Sequence, residues 1–249
     1  METVVALSGG IDSTALALMM PEAELVFTDT GWEHNELYAH LDRIETMAGR
    51  KITRLVNAEW PGGLPQYIRE AHFFPNHGAR YCTRIFKIES MNAYLKPRLP
   101  ATLCIGLRAD EPEDQRIGNL TNLPDLSIAY PLREYGMTRI DCVRLCLEHD
   151  LLPVYPLWMK RGGCKGCFYK RWQEVEAMKH LTPALLDELQ ELEESAQDER
   201  EKPFYMFSNI GMTIRDFRDQ PPLFDQKQLY AQAADRSQMG VVCGLLCNR

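Results

Sequence analysis

Seven residues near the N-terminus, Ser8-Gly9-Gly10-Ile11-Asp12-Ser13-Thr14, join one apolar run to a second that has helical character. Glycines, hydroxyls and a carboxylate at such a junction suit an anion. Glycines let the backbone come close to a phosphate and take conformations closed to other residues. A helix N-terminus adds free N–H groups and a partial positive charge. Ser8, Ser13 and Thr14 add hydroxyl donors. Asp12 makes sense as a helix cap or as a ligand to Mg2+ held between phosphates. A tight turn before an Asp-capped helix would use the same residue types. The Walker glycine–lysine pattern and GxGxxG are both absent.

The cysteines are the second source of chemistry. There are eight: Cys82, Cys104, Cys142, Cys146, Cys164, Cys167, Cys243 and Cys247. Cys164 and Cys167 form a CxxC with glycines at 162, 163 and 166, a spacing at which two thiolates can face one metal. Zinc, an iron–sulfur cluster and a redox dithiol all fit it. Cys142 and Cys146 share a helical stripe with Ile140, Val143 and Leu147, which reads as core packing. Cys104 lies in an apolar strand. Cys243 and Cys247 have a spacing that permits shared ligation. Arg80, Arg84 and Lys87 flank Cys82 at helical spacing, and such guanidinium and ammonium groups bind sulfate or phosphate. Around the CxxC, Arg116, Lys160, Arg161, Lys165, Lys170 and Arg171 make a second basic group, interleaved with Trp158, Phe168, Tyr169 and Trp172. That mixture suits a nucleic-acid acceptor, and also plain hydrophobic packing.

The elements that must position these residues follow from apolar runs and periodicity. Thr3–Leu7 reads as a buried strand, Ser13–Met20 as a helix, Glu24–Thr28 as a strand, Asn35–Ala48 as a helix and Lys51–Val56 as a third strand. This βαβαβ order predicts an α/β protein with a doubly wound parallel sheet. Helices are expected at 64–72, 83–95 and 139–150, and a strand at 101–106. The stretch 110–125 reads as a loop and 153–170 as irregular. Two further helices are expected at 172–181 and 183–195, the last with Thr182 as N-cap and Pro183 in its first turn. The division expected is 1–135 for the nucleotide-binding α/β part and 136–249 for a mostly helical, cysteine-containing C-terminal region packed on it. The acidic block from Asp187 to Glu201 reads as a solvated helix face.

Composition sets outer limits. The 249 residues are 45% hydrophobic and 25% charged, and the net charge of −7 argues against a uniformly basic nucleic-acid-binding surface. The apolar runs fall short of the roughly 20 residues a membrane helix needs. No secretory signal is visible, so a cytoplasmic location without membrane attachment is expected.

SGGIDST resembles the PP-loop signature of the ATP pyrophosphatase and adenine-nucleotide hydrolase superfamily, a HUP-like fold. Four more blocks resemble the phosphoadenosine phosphosulfate (PAPS) reductase family: FTDTGWEH from Phe27, RYCTRIFKIE from Arg80, GLRADE from Gly106 and GGCKGCF from Gly162. The resemblance implies that Ser8, Gly9, Gly10, Asp12, Ser13 and Thr14 hold the phosphates of ATP or PAPS. It places Thr28, Asp29 and Thr30 by the ribose or base, and brings Arg80, Gly106 and Arg108 to the same nucleotide. Asp12, Arg84 and Lys87 are the expected catalytic groups. Cys82, Cys164 and Cys167, completed by Cys243 or Cys247, are the expected ligands of a 4Fe–4S cluster.

Two activities compete under this resemblance. One is ATP-dependent adenylation followed by sulfur transfer, with Mg2+ assisting, as in DNA phosphorothioation and tRNA thiolation proteins. The other is reduction of PAPS or adenosine phosphosulfate to sulfite with thioredoxin, through a C-terminal cysteine. The complete loop favours the first. The tail VVCGLLCNR lacks the reductases' C-terminal motif. A non-catalytic nucleotide-binding module is the third reading. Expected partners are an adenine nucleotide, a nucleic-acid acceptor, thioredoxin or a sulfur-donor protein, and a second copy in a homodimer.

Overall fold

The computed structural model describes residues 2–112, 123–156, 158–159, 162–197 and 204–222. Cys243 and Cys247, together with Arg116, Lys160 and Arg161, lie outside the described residues. The chain divides into two compact units. Unit 1 comprises Met1–Asp29, Asn35–Asn57 and Thr83–Val154. Unit 2 comprises Thr30–His34, Ala58–Cys82 and the described residues from Tyr155 onward.

Unit 1 is built on a five-stranded sheet. Its strands are β1 (Glu2–Ala6), β2 (Glu24–Asp29), β3 (Ile52–Val56), β4 (Ala101–Cys104) and β5 (Leu126–Ala129), in the order β3-β2-β1-β4-β5. Every pairing is parallel. The chain winds outward from β1 to β3 on one side and from β4 to β5 on the other. The strand order therefore switches between β1 and β4, the place where doubly wound sheets take ligands beyond the strands' C-terminal ends. This is the expected α/β class. β5 follows directly on the stretch 110–125 read as a loop, and no strand is expected there, because LSIA is too short to show a pattern.

Helices α1 (Ile11–Met19) and α2 (Asn35–Ala48) follow β1 and β2. Alternate strand residues face opposite sides of the sheet. Val4, Val26, Ala101 and Leu103 pack with Met91 and Leu95 of a helical segment in one core cluster. That segment runs through α4 (Tyr81–Thr83), a π-helical turn (Arg84–Glu89) and α5 (Ser90–Leu95). The π turn differs from the regular helix expected there. It sets residues five apart on one face, and Arg84 Nη1 accordingly meets Glu89 Oε1 at 2.7 Å. The short α6 (Pro131–Glu134) leads to α7 (Arg139–Glu148), which packs on α1. α7 falls in unit 1.

Unit 2 contains α3 (Gly63–Ala71), α8 (Trp172–Leu181), α9 (Pro183–Ala196) and α10 (Ile214–Asp219). Thr182 does sit at the N-cap of α9, yet its side chain makes no capping bond. Buried Leu186, Leu189 and Leu192 line the inner face of α9. The solvated reading of this helix fails at one residue, because Glu193 is 1% exposed. Its carboxylate accepts from Met206 N–H at 2.8 Å and Ile214 N–H at 2.6 Å, pinning the following segment to α9. Burial pushes its pKa up to about 7. No helix among the described residues is long and apolar enough to cross a membrane.

Candidate nucleotide site

The loop after β1 is braced from within. Ser13 Oγ accepts from Ser8 N–H at 3.1 Å, donates to the Gly10 carbonyl at 3.0 Å and lies 3.0 Å from Ser8 Oγ. Since its one proton goes to Gly10, Ser8 is the donor in the hydroxyl pair. Gly9 has φ +70°, and a Cβ there would lie 2.3 Å from Leu37 Cδ1 of α2. Only glycine meets both the left-handed backbone and the close approach. Gly10 is the N-cap of α1 and brings no side-chain cap to it. Ser8 is exposed at the tip of this turn.

Across the strand-order switch, a Cβ on Gly106 would lie 3.2 Å from the Asp12 carbonyl carbon and the Ser13 nitrogen. The end of β4 therefore closes directly on the first turn of α1. Gly106 lies against this turn, and Arg108 reaches Asp12 within it.

Asp12 is held by two arginines. Its Oδ2 receives Arg108 Nη1 at 2.6 Å and its Oδ1 receives Arg139 Nη1 at 3.0 Å. It does not cap α1. Burial works against the charge on Arg108. Asp12, the hydrogen-bonded Asp110 at 2.9 Å and Glu111 outweigh that penalty and push its pKa up. Arg139 is the first residue of α7 and had no sequence signal, since its partner is 127 positions away.

Thr14 is fully buried, and its Oγ1 lies 3.1 Å from His40 Nε2 of α2. Its hydroxyl is spent on fixing the loop from beneath rather than offered outward. Burial first, and then Arg43, lower the His40 pKa to about 4, so the ring is neutral. At the C-terminal end of β2, Asp29 Oδ1 accepts from Tyr38 Oη at 2.8 Å. Thr28 is half-buried beside it. Arg84 and Lys87 are exposed.

The remaining expected residues lie in unit 2. Thr30 Oγ1 donates to Glu33 Oε1 at 3.0 Å. Arg80 is exposed and lies over the Tyr169 ring, 5.7 Å from its centroid. His77, also exposed, meets Phe168 and Tyr169 edge-on. The basic group around the CxxC disperses: Lys165 pairs with Glu188 at 3.0 Å and Lys170 is buried. Trp158 and Phe168 are core residues, each 3% exposed.

Cys82, Cys164 and Cys167 are half-buried cysteines. Among the described residues, no three or more His, Cys, Asp or Glu side chains are grouped to hold a metal ion. The described residues do not bring Cys82, Cys164 and Cys167 together as one such group, and the other expected ligands, Cys243 and Cys247, lie outside them.

A parallel sheet of this order, with a glycine loop opening α1 at the strand-order switch, defines an α/β protein of PP-loop type. The chain belongs to the phosphoadenosine phosphosulfate reductase domain family, whose profile matches residues 2–158. It is similar to an uncharacterized 37.8 kDa protein in the gpa 5′ region of Escherichia phage 186, at 25% identity over 232 residues, covering 69% of this chain and 68% of that one. It is also similar to an uncharacterized protein of Methanocaldococcus jannaschii, at 24% identity over 193 residues, covering 73% of this chain but only 39% of the archaeal protein. The crystal structure of PAPS reductase from Candida auris in its phosphate complex aligns with a TM-score of 0.44 at 11% identity, over 59% of this chain and 72% of that one.

Proposed function

We infer that the loop from Ser8 to Thr14 binds the phosphates of an adenine nucleotide, and that ATP is the nucleotide used. In this reading the chain adenylates an acceptor oxygen, pyrophosphate leaves, and sulfur then replaces the activated oxygen. The observation that carries it is the doubly held carboxylate of Asp12. Two guanidiniums, Arg108 and Arg139, are paired to it at the N-terminus of α1. Polyphosphate oxygens would take over these donors, together with the N–H groups at the start of α1. Pre-positioned cations stabilise charge building up during phosphoryl or nucleotidyl transfer, because no reorganisation is needed at that moment.

Other site residues take supporting roles. Ser13 and the Thr14–His40 pair hold the loop in shape, which supports Ser8 as the outward hydroxyl. Thr28 and Asp29, at the end of β2, would border the ribose or base. An anionic acceptor such as a nucleic acid would be met on unit 2 by exposed His77 and Arg80 with Tyr169. A sulfur-donor protein and a second copy of the chain remain the proposed macromolecular partners.

The family match favours a second reading, reduction of PAPS to sulfite with thioredoxin. The test is incubation of the full chain with ATP and, separately, with PAPS and reduced thioredoxin. Pyrophosphate from ATP supports adenylation, and sulfite from PAPS supports reduction. Nucleotide binding with neither product would identify a non-catalytic binding module.

A further inference from the structure

Unit 2 holds chemistry that the nucleotide reading does not use. Cys164 and Cys167 bound a turn closed by Cys167 N–H to the Cys164 carbonyl at 3.2 Å. Such a turn keeps its end Cα atoms within about 7 Å, and a disulfide spans roughly 4.4–6.8 Å. The turn is seated on the segment Thr30–His34. Lys165 N–H donates to the Trp32 carbonyl at 2.9 Å, and Glu33 and Cys164 form an antiparallel bridge. A Cβ on Gly166 would lie 2.1 Å from the Trp32 ring, so the turn lies directly against it. Cys164 Sγ donates to Glu33 Oε1 at 3.5 Å. Beside them Lys170 is buried, and burial lowers its pKa against the opposing pull of Cys167, Glu174, Cys164 and Glu33. Its Nζ lies 3.4 Å from His34 Nε2, and burial, Lys170 and Lys165 keep His34 neutral. The other described thiols differ. Cys104, Cys142 and Cys146 are buried, and burial pushes Cys142 and Cys146 up to about 12.

We propose that Cys164 and Cys167 are a thiol–disulfide exchange pair that trades electrons with low-molecular-weight disulfides and thiols. Cys167 gives its proton to solvent and attacks one sulfur of a disulfide such as oxidised glutathione. A mixed disulfide forms on Cys167, and one glutathione thiolate leaves and takes up a proton. Cys164 then attacks the Cys167 sulfur of that mixed disulfide, giving its proton to Glu33. The Cys164–Cys167 bond forms, and the second glutathione leaves as a thiol once protonated. The two protein thiols are oxidised by two electrons, and one glutathione disulfide is reduced to two thiols. The assignment is independent of the nucleotide reading, since it concerns unit 2 alone.

The test uses the full chain, purified anaerobically and equilibrated in buffers of graded glutathione ratio. The expected result is loss of two hydrogens in intact mass, with the new bond mapped to Cys164 and Cys167 and no bond at Cys82. In Cys164→Ser, a single glutathione adduct should persist on Cys167. In Glu33→Gln, the same adduct should form and resolve several-fold more slowly than in wild type. Absence of the Cys164–Cys167 bond at every ratio would overturn the proposal. So would stoichiometric iron and sulfide that are lost in Cys164→Ser. Resolution in Glu33→Gln at the wild-type rate would overturn the role of Glu33. Pyrophosphate release from ATP, measured on the same preparations, reports separately on the nucleotide reading.

Discussion

Replacing Asp12 by Asn keeps the side chain's shape and removes its charge. The variant loses the ionic contacts to Arg108 at 2.6 Å and to Arg139 at 3.0 Å, and its new amide N–H group faces a guanidinium donor. Stranding a buried charge outright costs about 3–5 kcal/mol. Arg108, at 5% side-chain exposure, is not stranded, because Asp110 stays at 2.9 Å and Glu111 at 3.7 Å. An exposed pair would cost only about 0–1 kcal/mol. The expected loss lies between these limits, at about 2 kcal/mol, in line with hydrogen bonds to charged groups. For a chain of this size that lowers the thermal midpoint by roughly 4–8 °C. The same substitution releases two guanidiniums from an internal competitor. Calorimetric titration with pyrophosphate in EDTA should therefore show tighter binding in Asp12→Asn and weaker binding in Arg139→Met. An unchanged midpoint would refute the ion-pair accounting. Equal loss of pyrophosphate binding in both variants would refute the competition and return Asp12 to a direct role in holding ligand.

Three further outcomes follow from the geometry. Gly9→Ala must adopt a left-handed backbone, at about 1–2 kcal/mol, and displace buried Leu37, at about 1–3 kcal/mol. Urea denaturation should show a combined loss of roughly 2–5 kcal/mol, and an undiminished midpoint would contradict the loop conformation. Glu193 keeps its proton in the folded chain to about pH 7, whereas its unperturbed value is 4.5. The folded state then binds more protons between those values, so stability falls as pH rises across that window, by at most about 3 kcal/mol. Denaturation curves at several pH values should show that slope in wild type and a flatter one in Glu193→Gln, and equal slopes would remove the assignment. Arg84→Ala should change stability by no more than about 1 kcal/mol, because its pair with Glu89 is exposed. A loss of several kcal/mol in a melting curve would show an unrecognised buried role.

The parts legible in the sequence were those encoded by local pattern. Apolar runs marked β1 to β4, and the periodicity of Leu37, Leu41 and Ile44 marked α2 with the bounds observed. Glycines at 9 and 10 marked the turn, for the reason the backbone angles show. His40 was legible in principle, since it falls on the same buried stripe as Leu37, Leu41 and Ile44. A histidine there signals either a satisfied core group or a brace, and only Thr14 across the helix pair tells which. Arg139 was not legible at all. Its meeting with Asp12 depends on α7 packing against α1, a contact across 127 residues. Glu193 was hidden by its acidic neighbours, because charge density along a helix does not reveal which carboxylate points inward. The even spacing of Arg80, Arg84 and Lys87 assumed a regular helix, and the π turn breaks that spacing.

The most direct test of the central claim is titration of isotopically labelled full-length protein with ATP, following the backbone amide resonances of Gly9, Gly10, Ile11 and Asp12. The account predicts that these four shift together at saturation, and that pyrophosphate alone moves the same set. ATP binding that leaves them unmoved while other amides respond would contradict it.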